Sequence, residues 1–307
     1  VVNSTGKYLH SMTPWQERVG HQRNWNWRGW QIRYTFFRGG EAPPVLLIHG
    51  FGASIGHWRH NLSALAGPGP VYALDLLGFG ASTKAAANYN LELWVDLVHD
   101  FWQQFIGRPI VVVGNSIGSL VSLRSAQRHP EMVCGLVMFN LPDFGLREKM
   151  LPGWLNPIVS RIEQFFTAPP LIKGIFYLVR RPAVVRRWAG VAYYDRQAVT
   201  DELVEILANP AQEPGAAATF AQLFRGMSSR HFSLGVAQML PELKVPILLI
   251  WGKYDRMVPP GLAEAFLKMN PRLELIKLAA GHCPHDECPE QVNPILREWL
   301  AQKILSP

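Results

Sequence analysis

Val111-Val112-Val113-Gly114-Asn115-Ser116-Ile117-Gly118-Ser119-Leu120 is the stretch on which the reading of this chain turns. The residues from Ile110 to Val113 are all β-branched and uncharged, the composition of a strand buried on both faces. After the G-N-S-I-G turn, Leu120, Val121, Leu123, Arg124 and Ala126 read as a helix. A strand running through so tight a turn into a helix needs glycine at 114 and 118, where a Cβ would meet neighbouring backbone. It forces Ser116 into a strained conformation that lifts its hydroxyl clear of the sheet. The N–H of Ile117, at the start of the helix, is then placed to stabilise a developing oxyanion. A five-residue pattern is weak in a chain with 26 glycines, so the surroundings must carry it.

Upstream, residues 30–37 alternate like an antiparallel strand, Gly39-Gly40 turns the chain, and residues 45–48 form a short apolar strand. That strand runs into His49-Gly50-Phe51-Gly52, a Gly-rich loop at a carboxyl strand end, where α/β folds build their ligand sites. The N–H of Phe51 is the natural second oxyanion donor, and His49 reads as a brace for the loop rather than a proton carrier. Residues 1–26 are polar, irregular and Trp-rich, a segment wrapped over the surface, with Trp25, Trp27 and Trp30 covering an edge of the core. A helix is expected over 57–66 and a strand over 71–74, followed by a structural Gly-punctuated turn from Asp75. In residues 91–106, Leu91, Trp94, Leu97, Val98, Phe101, Trp102 and Phe105 share one helical face, which is core rather than a cofactor box. With the strand at 135–139, the alternation implies an α/β class protein with a parallel sheet and helices on both faces.

The character changes near Leu141. Residues 144–232 hold no clear buried strand but many aromatics, proline breaks and helix-compatible runs, including Phe165-Phe166, and read as an inserted helical cap. Residues 171–188 mix Phe, Leu, Ile, Tyr and Trp with Arg180, Arg181, Arg186 and Arg187. Such a basic amphipathic segment either pairs with acidic groups of its own core or rests on a membrane interface. The core resumes with an apolar strand at 245–251 ending in Gly252-Lys253-Tyr254-Asp255, a helix at 260–269, a strand at 273–278 leading to Gly281-His282, and a closing helix at 289–305. The expected division is a first core part at 1–140, the cap at 141–240 and a second core part at 241–307.

Acyl transfer needs a nucleophile, a base, a carboxylate to orient that base and donors for the oxyanion. Ser116, His282 and Asp255 fill the first three roles from strand carboxyl ends, with Phe51 and Ile117 as donors. His285, three residues past His282, is the competing base, and Asp143 the competing acid. Asp286 reads as an exposed or cap-contacting charge.

The bulk numbers exclude several classes. A chain of 307 residues with 48% hydrophobic content can bury a sizeable core, and no run approaches the roughly 20 apolar residues of a membrane span. The opening Val1-Val2, without Met, is what removal of an initiator, tag or targeting segment leaves, and no signal peptide is recognisable. Cys134, Cys283 and Cys288 cannot all pair with one another; Cys134, in an apolar strand, reads as a buried free thiol, and a reducing compartment fits. The His282–Cys288 cluster lacks paired zinc-ligand spacing, so no metal and no cofactor is expected. The net charge of +7 favours anionic partners; the basic residues are scattered without a reading motif, which argues against nucleic acid, and much of the basic character lies beside exposed-looking apolar and aromatic residues, which favours an anionic membrane surface.

The elbow G-N-S-I-G-S-L, the loop H-G-F-G-A-S-I-G-H-W, the segment L-D-L-L-G-F-G-A-S and the tail G-H-C-P-H-D-E-C-P-E-Q-V-N resemble the chlorophyll dephytylase and pheophytinase group of α/β-hydrolases in cyanobacteria and plastids. The resemblance covers most of the core and less of the cap. It implies an α/β-hydrolase fold and hydrolysis of the phytyl ester of chlorophyll or pheophytin through an acyl-enzyme on Ser116. It also implies a place on the cytoplasmic or plastid-stromal side, peripheral to thylakoid membrane. Ile117 and Ser119 make the elbow more similar to the dephytylases. Serine at 116 argues against the haloalkane dehalogenases and epoxide hydrolases, which use Asp there. A general lipophilic esterase or a carbon–carbon bond hydrolase would use the same triad; the second should bind a free carboxylate through Arg180 or Arg187 pointing inward. A pigment-binding or docking protein on a hydrolase scaffold is the non-enzymatic alternative.

Overall fold

A computed structural model describes residues 13–145, 169–229 and 232–305. Eight strands form one sheet in the order β1-β2-β4-β3-β5-β6-β7-β8. They are β1 (Gln22–Trp27), β2 (Trp30–Phe37), β3 (Val45–Ile48), β4 (Val71–Leu74), β5 (Ile110–Asn115), β6 (Val133–Phe139), β7 (Ile247–Gly252) and β8 (Leu273–Leu278). β1 and β2 run antiparallel to their neighbours and all later pairs are parallel. In β5, Ile110 and Val112 pack on one face while Val111 and Val113 pack on the other, so successive residues enter separate cores. That is the burial the unbroken β-branched run called for.

Helix α1 (Leu91–Phe105) buries Leu91, Trp94, Leu97, Val98 and Phe101 as the spacing predicts, and starts where the Asn90 side chain accepts the N–H of Leu93. Helix α2 (Ile117–Arg128) leaves the elbow directly. Between β6 and β7 the described residues hold helices and turns, namely α3 (Pro169–Val179), α4 (Pro182–Ala192), α5 (Asp201–Ala208) and α6 (Ala216–Ser228), with short turns between and after them. Phe165-Phe166 lie outside the described residues. Helix α7 (Leu262–Leu267) precedes β8, and α8 (Pro289–Leu300) closes the chain, its last turn widening over Ala301–Leu305.

Three expectations need correction. Residues 22–27 are a strand, because Arg28 and Gly29 both take positive φ (51° and 87°), a two-residue hairpin that sets Trp27 opposite Trp30. The helix expected at 57–66 is split into a 3₁₀ turn (Ile55–Trp58) and a single turn (Leu62–Leu65). Between them the Asn61 side chain is tied to Asn293 and to the His285 carbonyl. Cys134 is half-buried rather than buried, while Cys283 and Cys288 are buried, and all three are free thiols.

Candidate active site

The turn between β5 and α2 sets the geometry. Ser116 has φ 54° and ψ −117°, the strained conformation expected of it. A Cβ on Gly114 would lie 2.2 Å from the Gly118 carbonyl oxygen, and one on Gly118 would lie 2.1 Å from the Ile48 carbonyl oxygen. Strand and helix therefore approach more closely than any side chain permits. The loop after β3 lies against this turn: a Cβ on Gly50 would stand 3.4 Å from the Ser116 Cβ. Phe51 follows in that loop and lines the same cavity as Ser116, and Ile117 opens α2. His49 is fully buried with a pKa lowered to about 4, chiefly by desolvation. The Leu76 N–H donates to its Nε2 (3.0 Å), so its Nδ1–H donates to the Gly50 carbonyl (2.7 Å). It braces the loop, as read.

His282 and Asp255 arrive on the loops after β8 and β7. His282 Nδ1 lies 2.8 Å from Asp255 Oδ2. The Asn140 side-chain N–H donates to that same oxygen (2.6 Å), and the N–H groups of Met257 (2.7 Å) and Val258 (3.0 Å) donate to Oδ1. Burial pushes the Asp255 carboxyl up, but the bonds from His282, Val258 and Asn140 outweigh it and hold it below the usual carboxylate range. The competitors lie apart from this pair. Asp143 accepts the N–H groups of Gly145 and Val236. His285 is fully buried, its ring 4.2 Å from that of Trp58, and desolvation drives its pKa well below the usual value.

Ser116 and His282 open on one cavity of about 320 Å³, walled by Phe51, Phe79, Phe176, Val179, Trp188 and Phe220 among others. Its lining is mainly apolar. Of the cap arginines, Arg180 reaches the lining and Arg187 does not; the Arg180 guanidinium lies 4.5 Å over the Tyr177 ring. Lys84, also on the wall, is neutralised by Glu213 (2.7 Å) and the carbonyls of Gly80 and Ser82.

A second layer was not foreseen. Asp286 is buried, which corrects the reading of an exposed charge, while its contact to the cap is real. It pairs with Arg59 at 2.6 Å and accepts the Tyr193 hydroxyl at 2.6 Å. Burial opposes its charge, but Arg59 and the surrounding histidines outweigh burial and hold the carboxyl far below its usual range. Since the one Tyr193 proton goes to Asp286, the contact between Tyr193 Oη and His57 Nε2 (2.8 Å) must be donated by His57. That makes His57 a neutral Nε2–H imidazole, in keeping with a pKa lowered to about 4 by burial. Glu287 accepts the N–H groups of Tyr194 (2.9 Å), Asp195 (2.7 Å) and Gly281 (2.7 Å), and the His282 N–H donates to the Ala192 carbonyl (2.6 Å). The segment after α4 is thus stitched to the loop that carries His282. Asn140, Tyr193 and Glu287 gave little warning in sequence; the Asp286-Glu287 pair, four and five residues past His282, was the available signal.

Among the described residues one group brings three potential metal ligands within 4.8 Å of one another, His99, His129 and Glu131. None of these three belongs to the cavity lining.

The sequence pattern of the alpha/beta hydrolase family matches residues 45–295. The chloroplastic pheophytinase of Arabidopsis thaliana is 28% identical over 85% of this chain, which spans 61% of that protein's length. The 2-hydroxymuconate semialdehyde hydrolase of Pseudomonas sp. (strain CF600) is 29% identical, over 74% of this chain and 76% of its own. Among solved structures, a membrane phospholipase A described as a bacterial virulence factor superposes with a TM-score of 0.74 at 26% identity, covering 93% of this chain and 87% of its own.

Proposed function

Since the chain belongs to the alpha/beta hydrolase family, we propose that it is a serine carboxylic-ester hydrolase that removes the phytyl chain from chlorophyll or pheophytin. One observation carries the reading: Ser116, in its strained turn, and His282, bonded to Asp255, open together on a cavity walled mostly by aromatic and aliphatic side chains. His282 takes the Ser116 proton as the oxygen attacks the ester carbonyl, and Asp255 holds the ring with Nδ1–H inward and stabilises the cation that forms. The N–H groups of Phe51 and Ile117 receive the oxyanion. The prenyl alcohol leaves with the proton from His282, and water returns through the same base to release the acid. The likeness to pheophytinase supports the substrate class.

A second reading rests on Arg180. Its place on the cavity wall is what a carbon–carbon bond hydrolase would use to bind a free carboxylate, and the likeness to the semialdehyde hydrolase agrees with it. The phytyl ester is preferred because the wall is mainly apolar and Lys84, the other cation among the described lining residues, is already paired with Glu213. Detergent-solubilised chlorophyll a and pheophytin a, offered beside a ring-fission dienone acid, separate the two. Release of dephytylated pigment, with the ratio of the two products giving the magnesium preference, supports the first. Cleavage of the dienone acid alone overturns it.

A further inference from the structure

We propose that the α3–α4 hairpin of the cap is a docking surface for an anionic lipid bilayer, which brings the lipophilic substrate to the cavity. The proposal rests on the lipophilic-ester reading for its purpose, but not for its observations. Ile175, Tyr177 and Leu178 on α3 are 43%, 53% and 53% exposed, and Trp188 on α4 is 61% exposed. These are large apolar side chains, four within fourteen residues of chain, and water is a poor solvent for them. Around them stand Lys173, Arg180, Arg181 and Arg187, and residues 169–194 contain no Asp or Glu at all. Arg186 is the cation that the cap keeps for itself, paired with Asp201. Among the described residues no carboxylate pairs with the other four.

Aliphatic and aromatic side chains ringed by cations that no described carboxylate neutralises are complementary to a headgroup layer with negative charge above hydrocarbon. The arginine stems lie along apolar surface while their heads stay at phosphate level, and Tyr and Trp suit the boundary between the two. The inner faces of the same helices complete the argument. Phe176, Val179 and Ala189 line the cavity, and Trp188 both lines it and is exposed. A bilayer seated on the outer face would therefore lie at the wall through which a prenyl chain reaches Ser116. No helix among the described residues is long and apolar enough to cross a membrane.

The test is sedimentation of the full chain with vesicles of phosphatidylcholine alone, or of phosphatidylcholine mixed with phosphatidylglycerol. The protein is expected to bind the mixed vesicles and to leave them as salt is raised. Each cation at such a surface is worth roughly fivefold in partitioning, so Arg181→Gln with Arg187→Gln weakens binding on the order of 20-fold. Tyr177→Ser with Leu178→Ser weakens it even at low salt. Hydrolysis of a short soluble ester stays unchanged in both double variants, which shows that they fold. Failure to bind, equal binding to both vesicle types, or variants that bind like wild type overturn the proposal. Vesicle binding is measured without ester substrate and pigment cleavage in detergent without vesicles, so either reading can fail alone.

Discussion

Replacing Tyr193 by phenylalanine removes one oxygen from the buried junction of core and cap and tests its proton order. In the structure that oxygen donates to Asp286 at 2.6 Å and receives from His57 at 2.8 Å. A hydrogen bond to a charged acceptor contributes about 1.5–3 kcal/mol. Asp286 keeps its Arg59 partner, so its charge is not stranded, and His57 Nε2, already 3.8 Å from Asp286 Oδ2, can turn to donate to it directly. That relaxation recovers part of the loss, and the net cost is about 2 kcal/mol. For a chain of this length it corresponds to a fall of roughly 3 °C in Tm. Urea unfolding followed by tryptophan fluorescence measures it directly, with an unchanged slope as the sign that the unfolded state is the same. A second arm places His57→Ala on both backgrounds, where residues sharing a hydrogen bond should couple by about 1 kcal/mol. A loss under about 0.5 kcal/mol in Tyr193→Phe, or additivity with His57→Ala, would mean that the bridge contributes nothing and that the assigned proton order is wrong.

Acidification should destabilise the fold through its buried histidines. His49, His57 and His60 are each lowered to about 4 by burial, so their contribution is complete above the unfolded value near 6.5 and is lost as pH falls toward 4, about 3 kcal/mol apiece by linkage. Asp75, raised to about 6 by burial, acts in the opposite sense and offsets about one of them, leaving a net loss of about 6 kcal/mol between pH 6.5 and 4; stability that stays flat over that range in urea titrations would refute the buried, neutral state of these rings. Asp255→Asn keeps the shape of the site but loses the charge that orients His282, and ester turnover should fall about 10³–10⁴-fold with little change in KM. His285→Gln should reduce stability while leaving the turnover of folded enzyme within about threefold of wild type, whereas His282→Gln should abolish turnover with the fold intact; the reverse pattern in kcat and Tm would exchange their roles.

What could be read from the sequence was whatever leaves a local mark. The β5 run announced itself because a strand buried on both faces tolerates nothing polar, and the elbow because only glycine fits at 114 and 118. The α1 stripe was legible for the same reason, since helical spacing and burial coincide there. β1 was hidden because its outward positions are polar, and an Arg28-Gly29 hairpin is a weaker signal than Asn-Gly. The burial of Asp286 left no mark because a carboxylate looks exposed until its cation is known. Arg59 lies 227 positions away along the chain and meets it only when the loop after β8 folds against the turn after β3. Asn140 is a case of the same kind, a polar residue at a strand end whose partner, Asp255, comes from the next strand's loop.

The central claim is that Ser116 is a nucleophile activated by His282. It is tested most directly by exposing wild type and Ser116→Ala to a fluorophosphonate and locating the adduct by mass spectrometry of the digested protein. The expected result is one adduct on wild type, on the peptide that contains Ser116, none on Ser116→Ala, and much slower labelling in His282→Gln. A wild-type protein that stays unlabelled, or an adduct on another residue that persists in Ser116→Ala, would contradict the account.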